Sequence, residues 1–527
     1  MTLEEIVNNY VFQNKLKDYF CNDLSQILKC IPQKNNANHY ITKTISIRGI
    51  FNNKERIINL PNIFSYTYNA NNIVNLNIND FGKLNSSKNT MKIDPKIRKF
   101  ARNSFTDSLD SQLSYLLTKY EYLYKIDISN FYGSIYTHVF EKINQNYKTL
   151  DSCLRRYNNR KTNCLLLGNI LSTLGANEIM EYLSTEIFKN IKEIEIKYFS
   201  DQFYIFFNGI NKAEDILLEV KKIIGKDYFE FEVNEKDSEI YTYETLIKKK
   251  DFSKEINKLF EIQRIPKNDV NFFDNCDVTE SNEKLIHFFN ALIEKYIELP
   301  EKEREVFIEI TFRRVFKSSI NLFRLKKVLE NNTEINKRII EILFYFLKCK
   351  PSLILAYIEL GIWHVLKESN IYVNNGMYEA YLPYFKRKYQ ENIENLDSIY
   401  NFHIYYLLNN MFTSSVELKE FKREYKSLKG KNAFFDAIIT RELEYKITRK
   451  EAQSIEFNDE NWLNNYILYS NSRVKITENN DLKVMIAIAK KRKINVLRKL
   501  SEIKVSSKII DKLNELEDIH NNKKANL

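Results

Sequence analysis

Tyr124-Lys125-Ile126-Asp127-Ile128-Ser129-Asn130-Phe131-Tyr132-Gly133-Ser134-Ile135-Tyr136-Thr137-His138 is the stretch on which the reading of this chain turns. An apolar run from about Tyr122 reads as a strand. Asp127 closes it, and two aromatics and a helix start follow. An aspartate at that point stands at the rim of a sheet, where its carboxylate can reach a metal. The other reading is a helix N-cap, because Asp, Ser and Asn all cap well.

Working outward, Ile194-Glu195-Ile196-Lys197-Tyr198-Phe199-Ser200-Asp201-Gln202-Phe203-Tyr204-Ile205-Phe206-Phe207 reads as a β-hairpin with Asp201 near its tip. A lone hairpin aspartate is a common turn former. Asp127 and Asp201 on strands of one sheet form instead a carboxylate pair able to hold two magnesium ions roughly 3.5 to 4 Å apart. Between and after them the chain alternates, with residues 162–189 helical, 213–224 helical and 228–233 extended, which indicates a sheet layered with helices. Upstream, residues 39–89 read as strands and Asn-rich loops, notably 41–47 and 56–61. Thr2 and Glu5 have capping-box spacing and open an expected pair of helices over 1–38. After the charged, turn-rich 250s to 270s, amphipathic helices dominate. One runs from Thr333 to just before Pro351, and others cover 354–360, 398–408 and 482–500. The expected fold class is α+β, in three parts: residues 1–38, 39–268 and an all-α, helical-repeat-like 269–527.

Composition supports a globular chain of two or three domains, with 527 residues, 44% of them hydrophobic and 28% charged. The formal charge of +11 favours polyanionic partners without specifying them. Six scattered cysteines without a CxxC pair, and six histidines without ligand spacing, argue against zinc and disulfides. The opening Met1-Thr2-Leu3-Glu4-Glu5 is acidic where a secretory signal is basic, and no apolar run reaches membrane-span length, so a cytoplasmic protein without membrane contact is expected. Walker, GxGxxG, HExxH and GxSxG motifs are absent. His138 reads as a structural helix residue. Lys490-Lys491-Arg492-Lys493 reads either as a phosphate-contacting patch or as a solvated helix face.

The segment Asp127 to His138 resembles motif A of the UG/Abi group of defence-associated reverse transcriptases, with its Asp-(Leu/Ile)-Ser-Asn-Phe-Tyr run followed by Tyr-Thr-His. Phe199-Ser200-Asp201-Gln202 falls where reverse transcriptases carry motif C, Tyr-x-Asp-Asp. Residues Thr162 to Ser172 are similar to motif B, keeping Gly168, Asn169 and Ser172, and Phe231-Glu232-Val233-Asn234-Glu235-Lys236 resembles motif D. Two departures stand out. Gln202 replaces the second aspartate of motif C, and Cys164, Leu165 and Leu166 replace the Gly-Ile-Pro type of opening of motif B.

This resemblance implies a fingers and palm module followed by a helical domain in place of a thumb. Its implied activity is RNA-directed DNA polymerase chemistry in antiphage defence. Asp127 and Asp201 would be catalytic and, with the carbonyl of Ile128, would hold Mg2+. Tyr132 would be the steric gate against a ribose 2′-hydroxyl, Gly168 and Asn169 would lie beneath the nascent base pair, and Lys236 would approach the triphosphate. Arg48, Lys54 and Arg56 would grip that triphosphate from the fingers, or be solvated surface charges. The implied partners are deoxynucleoside triphosphates, a DNA product, an RNA template or atypical templating with protein priming, and a second copy or second reverse transcriptase subunit. The alternative, favoured by Gln202, is a catalytically weakened palm acting as a nucleic-acid-binding or scaffold subunit of a defence complex.

Overall fold

The computed structural model describes residues 18–20, 44–51, 54–75, 93–94, 99–100, 113–226, 228–249, 278–331, 333–369, 375–412, 423–424, 426–445, 448, 450, 462–471 and 489–525. These residues form an α+β protein and group into two compact units. The expected N-terminal helices of 1–38 lie outside the described residues apart from 18–20, as do residues 482–488 of the helix expected over 482–500; the described remainder is helical only at 489–491 and then turns at Lys493, at φ 56°, into irregular backbone, so the expected helix does not continue to Leu500.

The first unit gathers residues up to Ser46, Ile57–Lys250 and Glu444–Leu497. Strands β1 (Ile45–Phe51) and β2 (Lys54–Leu60) pair as a two-stranded sheet. Helix α1 (Ile63–Asn75) follows, where strands and loops were expected. Its Asn- and Tyr-rich sequence has weak helix propensity, and burial overrides that. Asn62 caps it, its Oδ1 accepting the Phe64 N–H at 2.9 Å, and Ile63, Phe64 and Tyr66 are buried.

The heart of this unit is a four-stranded antiparallel sheet. Its strands are β3 (Tyr122–Asp127), β4 (Glu195–Phe199), β5 (Gln202–Phe207) and β6 (Glu239–Tyr241), in spatial order β4-β5-β3-β6. Helices α2 (Lys148–Tyr157) and α3 (Ile170–Asn190) lie between β3 and β4 in sequence, and α4 (Lys212–Ile224) lies between β5 and β6. The connectivity is β-α-β-β-α-β, the split-βαβ arrangement, which puts both central strand ends at one rim. β5 is buried at every position after Gln202, and its Ile205, Phe206 and Phe207 are fully covered.

Two expected elements are displaced. The helix expected from 162 starts only at Ile170, because Asn169 caps it and Gly168, at φ 99°, turns the chain just before it. The strand expected at 228–233 is a turn-rich segment that pairs only through the isolated bridge between Val233 and Ile128, the residue just after β3, and the sheet edge is formed by β6 instead. A return segment completes this unit. In the helix Trp462–Asn471, Tyr466 packs edge-on to Phe64 at 5.8 Å and its hydroxyl donates to the Ile494 carbonyl.

The second unit gathers Ile47–Arg56, the described residues of 251–443, and Arg498–Leu527. It is helical over α5 (Val278–Glu298), α6 (Glu301–Val315), α7 (Ser319–Asn331), α8 (Thr333–Cys349), α9 (Leu353–Glu359), α10 (Ile362–Glu368), α11 (Leu382–Glu391), α12 (Leu396–Phe412), α13 (Ala433–Glu442) and α14 (Ser507–Ala525). α8 stops just before Pro351, as its pattern required. Aromatics fill the helix contacts. Phe344 stacks on Tyr381 at 4.3 Å, and Phe312 meets Phe346 and Tyr357 at 5.8 and 5.1 Å. Gly361 enters α10 at φ 83°, where a Cβ would come within 2.8 Å of Leu322. Lys326 and Lys327 tie α7 to Glu517 of α14 at 2.6 and 3.1 Å. Neither unit is continuous in sequence, since 444–497 groups with the sheet unit and 47–56 with the helical one.

Candidate active site

β3 pairs with β5 along its whole length, with Asp127 opposite Gln202. Ser200, at φ 56°, closes the β4–β5 turn, and the Ile128 N–H donates to the Asp201 carbonyl at 2.9 Å. The two aspartates therefore stand side by side at adjacent strand ends. On the other flank of β3, the Ser129 N–H donates to the Glu232 carbonyl at 2.8 Å and the Asn234 N–H donates to the Asp127 carbonyl at 2.8 Å. Asp127 is thus held between two chain segments, only 8% exposed.

Its carboxylate has a named partner on each side. Gln202 Nε2 donates to Oδ1 at 2.9 Å, and Asn234 Nδ2 donates to Oδ2 at 2.9 Å. The Tyr204 hydroxyl donates to Gln202 Oε1 at 2.9 Å. A carboxylate can only accept, so the glutamine nitrogen must face it and its oxygen must face the tyrosine. Gln202 accordingly offers this site an N–H donor rather than the oxygen ligand that an aspartate would supply.

Asp127, Asp201 and the Ile128 carbonyl together make a set of hard oxygen donors suited to Mg2+. Oδ1 lies on the β5 side, toward the strand end that carries Asp201, and the group there is a neutral amide on a flexible stem. The residues present therefore fit a divalent cation, with Gln202 as the group that must yield.

Tyr132 lies in the helical turn Phe131–Ser134, entered through Asn130 at φ 43°. Phe131 anchors that turn by packing edge-on to Phe231 at 5.3 Å. The Tyr132 hydroxyl is pushed up to about 12, first by burial, then lowered by a hydrogen bond with Thr173 and raised by the charge of Asp201. Tyr132, Thr173 of α3 and Asp201 thus share one electrostatic environment. Gly168 and Asn169 sit in the loop before α3. Asn169 is 1% exposed and spends its amide within the loop, donating to Leu166 O at 2.7 Å and accepting the Ser172 N–H at 3.0 Å. Its side chain shapes the loop. The loop is fastened to the motif around Tyr132 by the Leu165 N–H donating to Tyr132 O at 2.8 Å and the Cys164 N–H donating to Ile135 O at 2.9 Å.

Lys236 is exposed in the single 3-10 turn Glu235–Asp237, two residues beyond Asn234. Arg48 and Arg56 are exposed on the hairpin segment that groups with the helical unit, where Arg48 faces Glu55 at 3.6 Å. The Lys54 side chain lies outside the described residues. Lys491, Arg492 and Lys493 are exposed.

A second polar cluster joins His138, Glu141 and Asp151, whose ligand atoms lie within 4.8 Å of one another. His138 Nδ1 and Arg155 both reach Asp151 Oδ2, at 3.2 and 3.0 Å. The guanidinium already compensates the buried carboxylate and would repel a cation, so the cluster is an ion-paired buttress between α2 and the short helix Val139–Ile143.

Sequence reasoning did not single out Asn234, Tyr204, Thr173 or Ser238. Asn234 lies inside the segment 231–236, where its hydrogen-bonding amide was the available signal; Tyr204 sits two residues from Gln202 on the same strand, whereas Thr173, on α3, and Ser238 become partners only through the tertiary fold. Comparison with known protein families found no match, and none of the curated proteins matches the chain.

Proposed function

We propose that the chain is a nucleotidyltransferase of the reverse-transcriptase type, its four-stranded sheet serving as the palm and Asp127 and Asp201 as its catalytic carboxylates. The observation that carries this reading is their placement at adjacent ends of β3 and β5, joined by the Ile128–Asp201 hydrogen bond, with Tyr132 within the field of Asp201. That is the arrangement the resemblance of motifs A to D calls for. The two carboxylates and the Ile128 carbonyl would hold Mg2+, which supplies activation of a primer hydroxyl and charge neutralisation on departing pyrophosphate. Tyr132 keeps its proton throughout the physiological range, so it presents a neutral ring and hydroxyl, suited to stacking beneath a sugar and excluding a 2′-hydroxyl. Gly168 gives the loop before α3 a turn without a side chain, and the exposed Lys236 would approach the triphosphate. A role in antiphage defence rests on the family resemblance. Among the described residues no helix is long and apolar enough to cross a membrane.

The test is incorporation of each labelled deoxynucleotide by the purified chain with magnesium, with and without added RNA. One observation favours the scaffold reading. Both oxygens of Asp127 already accept from amides, Gln202 and Asn234, which is a resting arrangement that needs no cation. No incorporation under any condition, with candidate RNA and partner proteins supplied, would select that reading.

A further inference from the structure

We infer that Asn234 is the positioning residue of Asp127, fixing the carboxylate so that Oδ1 is the oxygen left to the Asp201 side. This rests on the two-carboxylate reading above. Every polar group of Asp127 except Oδ1 is held by Asn234 or by a residue tied to it. The Asn234 N–H donates to the Asp127 carbonyl at 2.8 Å and its Nδ2 to Oδ2 at 2.9 Å. The Asp127 N–H donates to Ser238 Oγ at 3.1 Å, and that hydroxyl in turn donates to the Asn234 carbonyl at 2.8 Å. The second hydrogen of the Asn234 amide goes to Asp237 Oδ2 at 2.7 Å, and the Asp237 N–H donates back to the Asn234 carbonyl at 3.2 Å. An amide with both hydrogens committed cannot rotate without breaking a charge-assisted bond. Of the two side chains that hold the Asp127 carboxylate at 2.9 Å, Asn234 is therefore the one whose own amide is locked by a second carboxylate. Gln202, on the opposite flank, is held through a single side-chain bond to Tyr204. The asymmetry separates the two donors: Asn234 orients the carboxylate from behind, while Gln202 covers the face turned toward Asp201.

Partners of this kind, acting behind a ligand, change metal affinity by about 10-fold to 100-fold when removed. The experiment titrates Mn2+ into the full chain, followed by electron paramagnetic resonance of the free ion, for the parent, Asn234→Ala, Asn234→Ser and Asp127→Ala. Near-UV circular dichroism of each checks the fold. Both Asn234 variants keep the backbone bonds of residue 234, and whichever retains the parent spectrum decides. The expected result is loss of the site in Asp127→Ala and about 10-fold or greater weakening in the Asn234 variants. The Mg2+ concentration for half-maximal incorporation should rise in parallel, while KM for the deoxynucleotide moves less. Parent-like Mn2+ affinity in the Asn234 variants, with binding lost in Asp127→Ala, overturns this inference and leaves the site standing. Parent-like affinity in Asp127→Ala itself overturns the site and the inference with it.

Discussion

Replacing Gln202 by alanine separates the two jobs this side chain performs, because stability and metal affinity should move in opposite directions. The variant loses the bond from Nε2 to Asp127 Oδ1 and the acceptor of the Tyr204 hydroxyl, both at 2.9 Å. A hydrogen bond to a charged partner contributes about 1.5 to 3 kcal/mol and a neutral one about 0.5 to 1.5. Gln202 is half-buried, so water takes over part of each, and a net loss of about 2 kcal/mol is expected. The same substitution removes an N–H dipole that competes with a cation for Oδ1. Relief of about 0.7 to 1.4 kcal/mol there corresponds to a gain in metal affinity of about 3- to 10-fold. Urea unfolding in chelator measures the first quantity, and Mn2+ titration measures the second. Affinity that falls together with stability would refute the reasoning, because Gln202 would then be supporting the cation rather than covering its place.

Gln202→Asp should lower stability in chelator, by setting a second carboxylate directly opposite Asp127, and recover it on adding Mg2+; no difference in the magnesium response from the parent would contradict this. Tyr132→Ala should admit ribonucleotides, and unchanged discrimination between the two triphosphates would reduce Tyr132 to a packing residue. Asp436, in α13, has its carboxyl pushed up to about 6 by burial, against the lowering effects of the Gly430 N–H and Lys429. Its folded state holds the proton more tightly than the unfolded one, so its contribution to stability falls as pH rises from about 4 to about 6 and stays lost above, by about 3 kcal/mol. Burial pushes the His403 imidazole down to about 3, which gives the opposite slope, stability rising with pH from about 3 to about 6.5. In Asp436→Asn the falling slope of this carboxyl is removed and the rising histidine slope is kept, so denaturant midpoints measured from pH 4 to 7 should rise more steeply than those of the parent and exceed them above pH 6. A profile parallel to that of the parent would exclude the carboxyl as the cause.

What was legible from sequence follows from how local each signal is. The strand ending at Asp127 and the hairpin carrying Asp201 are written in apolar runs and a polar turn, and both appear within a residue of the expected bounds. The helix stopped by Pro351 was legible because proline acts through its own backbone. Helix α1 was not, since its stability comes from burying Phe64 and Tyr66 rather than from propensity. A strand was expected at 228–233 because that segment has the apolar content of one, while the three-residue β6 is too short to show a period. At the site, carboxylates announce themselves by charge and position. The donors that hold Asp127 do not, because Asn234 lies 107 positions away and Gln202 lies 75, so the chain register alone brings them together.

The central claim is that Asp127 and Asp201 act as one pair. Its most direct test is deoxynucleotide incorporation by the parent, Asp127→Asn and Asp201→Asn under one Mg2+ and Mn2+ titration, with the fold of each variant checked by circular dichroism. Asparagine keeps the shape and removes the charge. The account predicts measurable incorporation by the parent and a loss of at least about 100-fold in each variant, since each carboxylate is needed to hold the cations that stabilise the transition-state charge. Either variant incorporating within a few-fold of the parent, at parent-like folding, would contradict it.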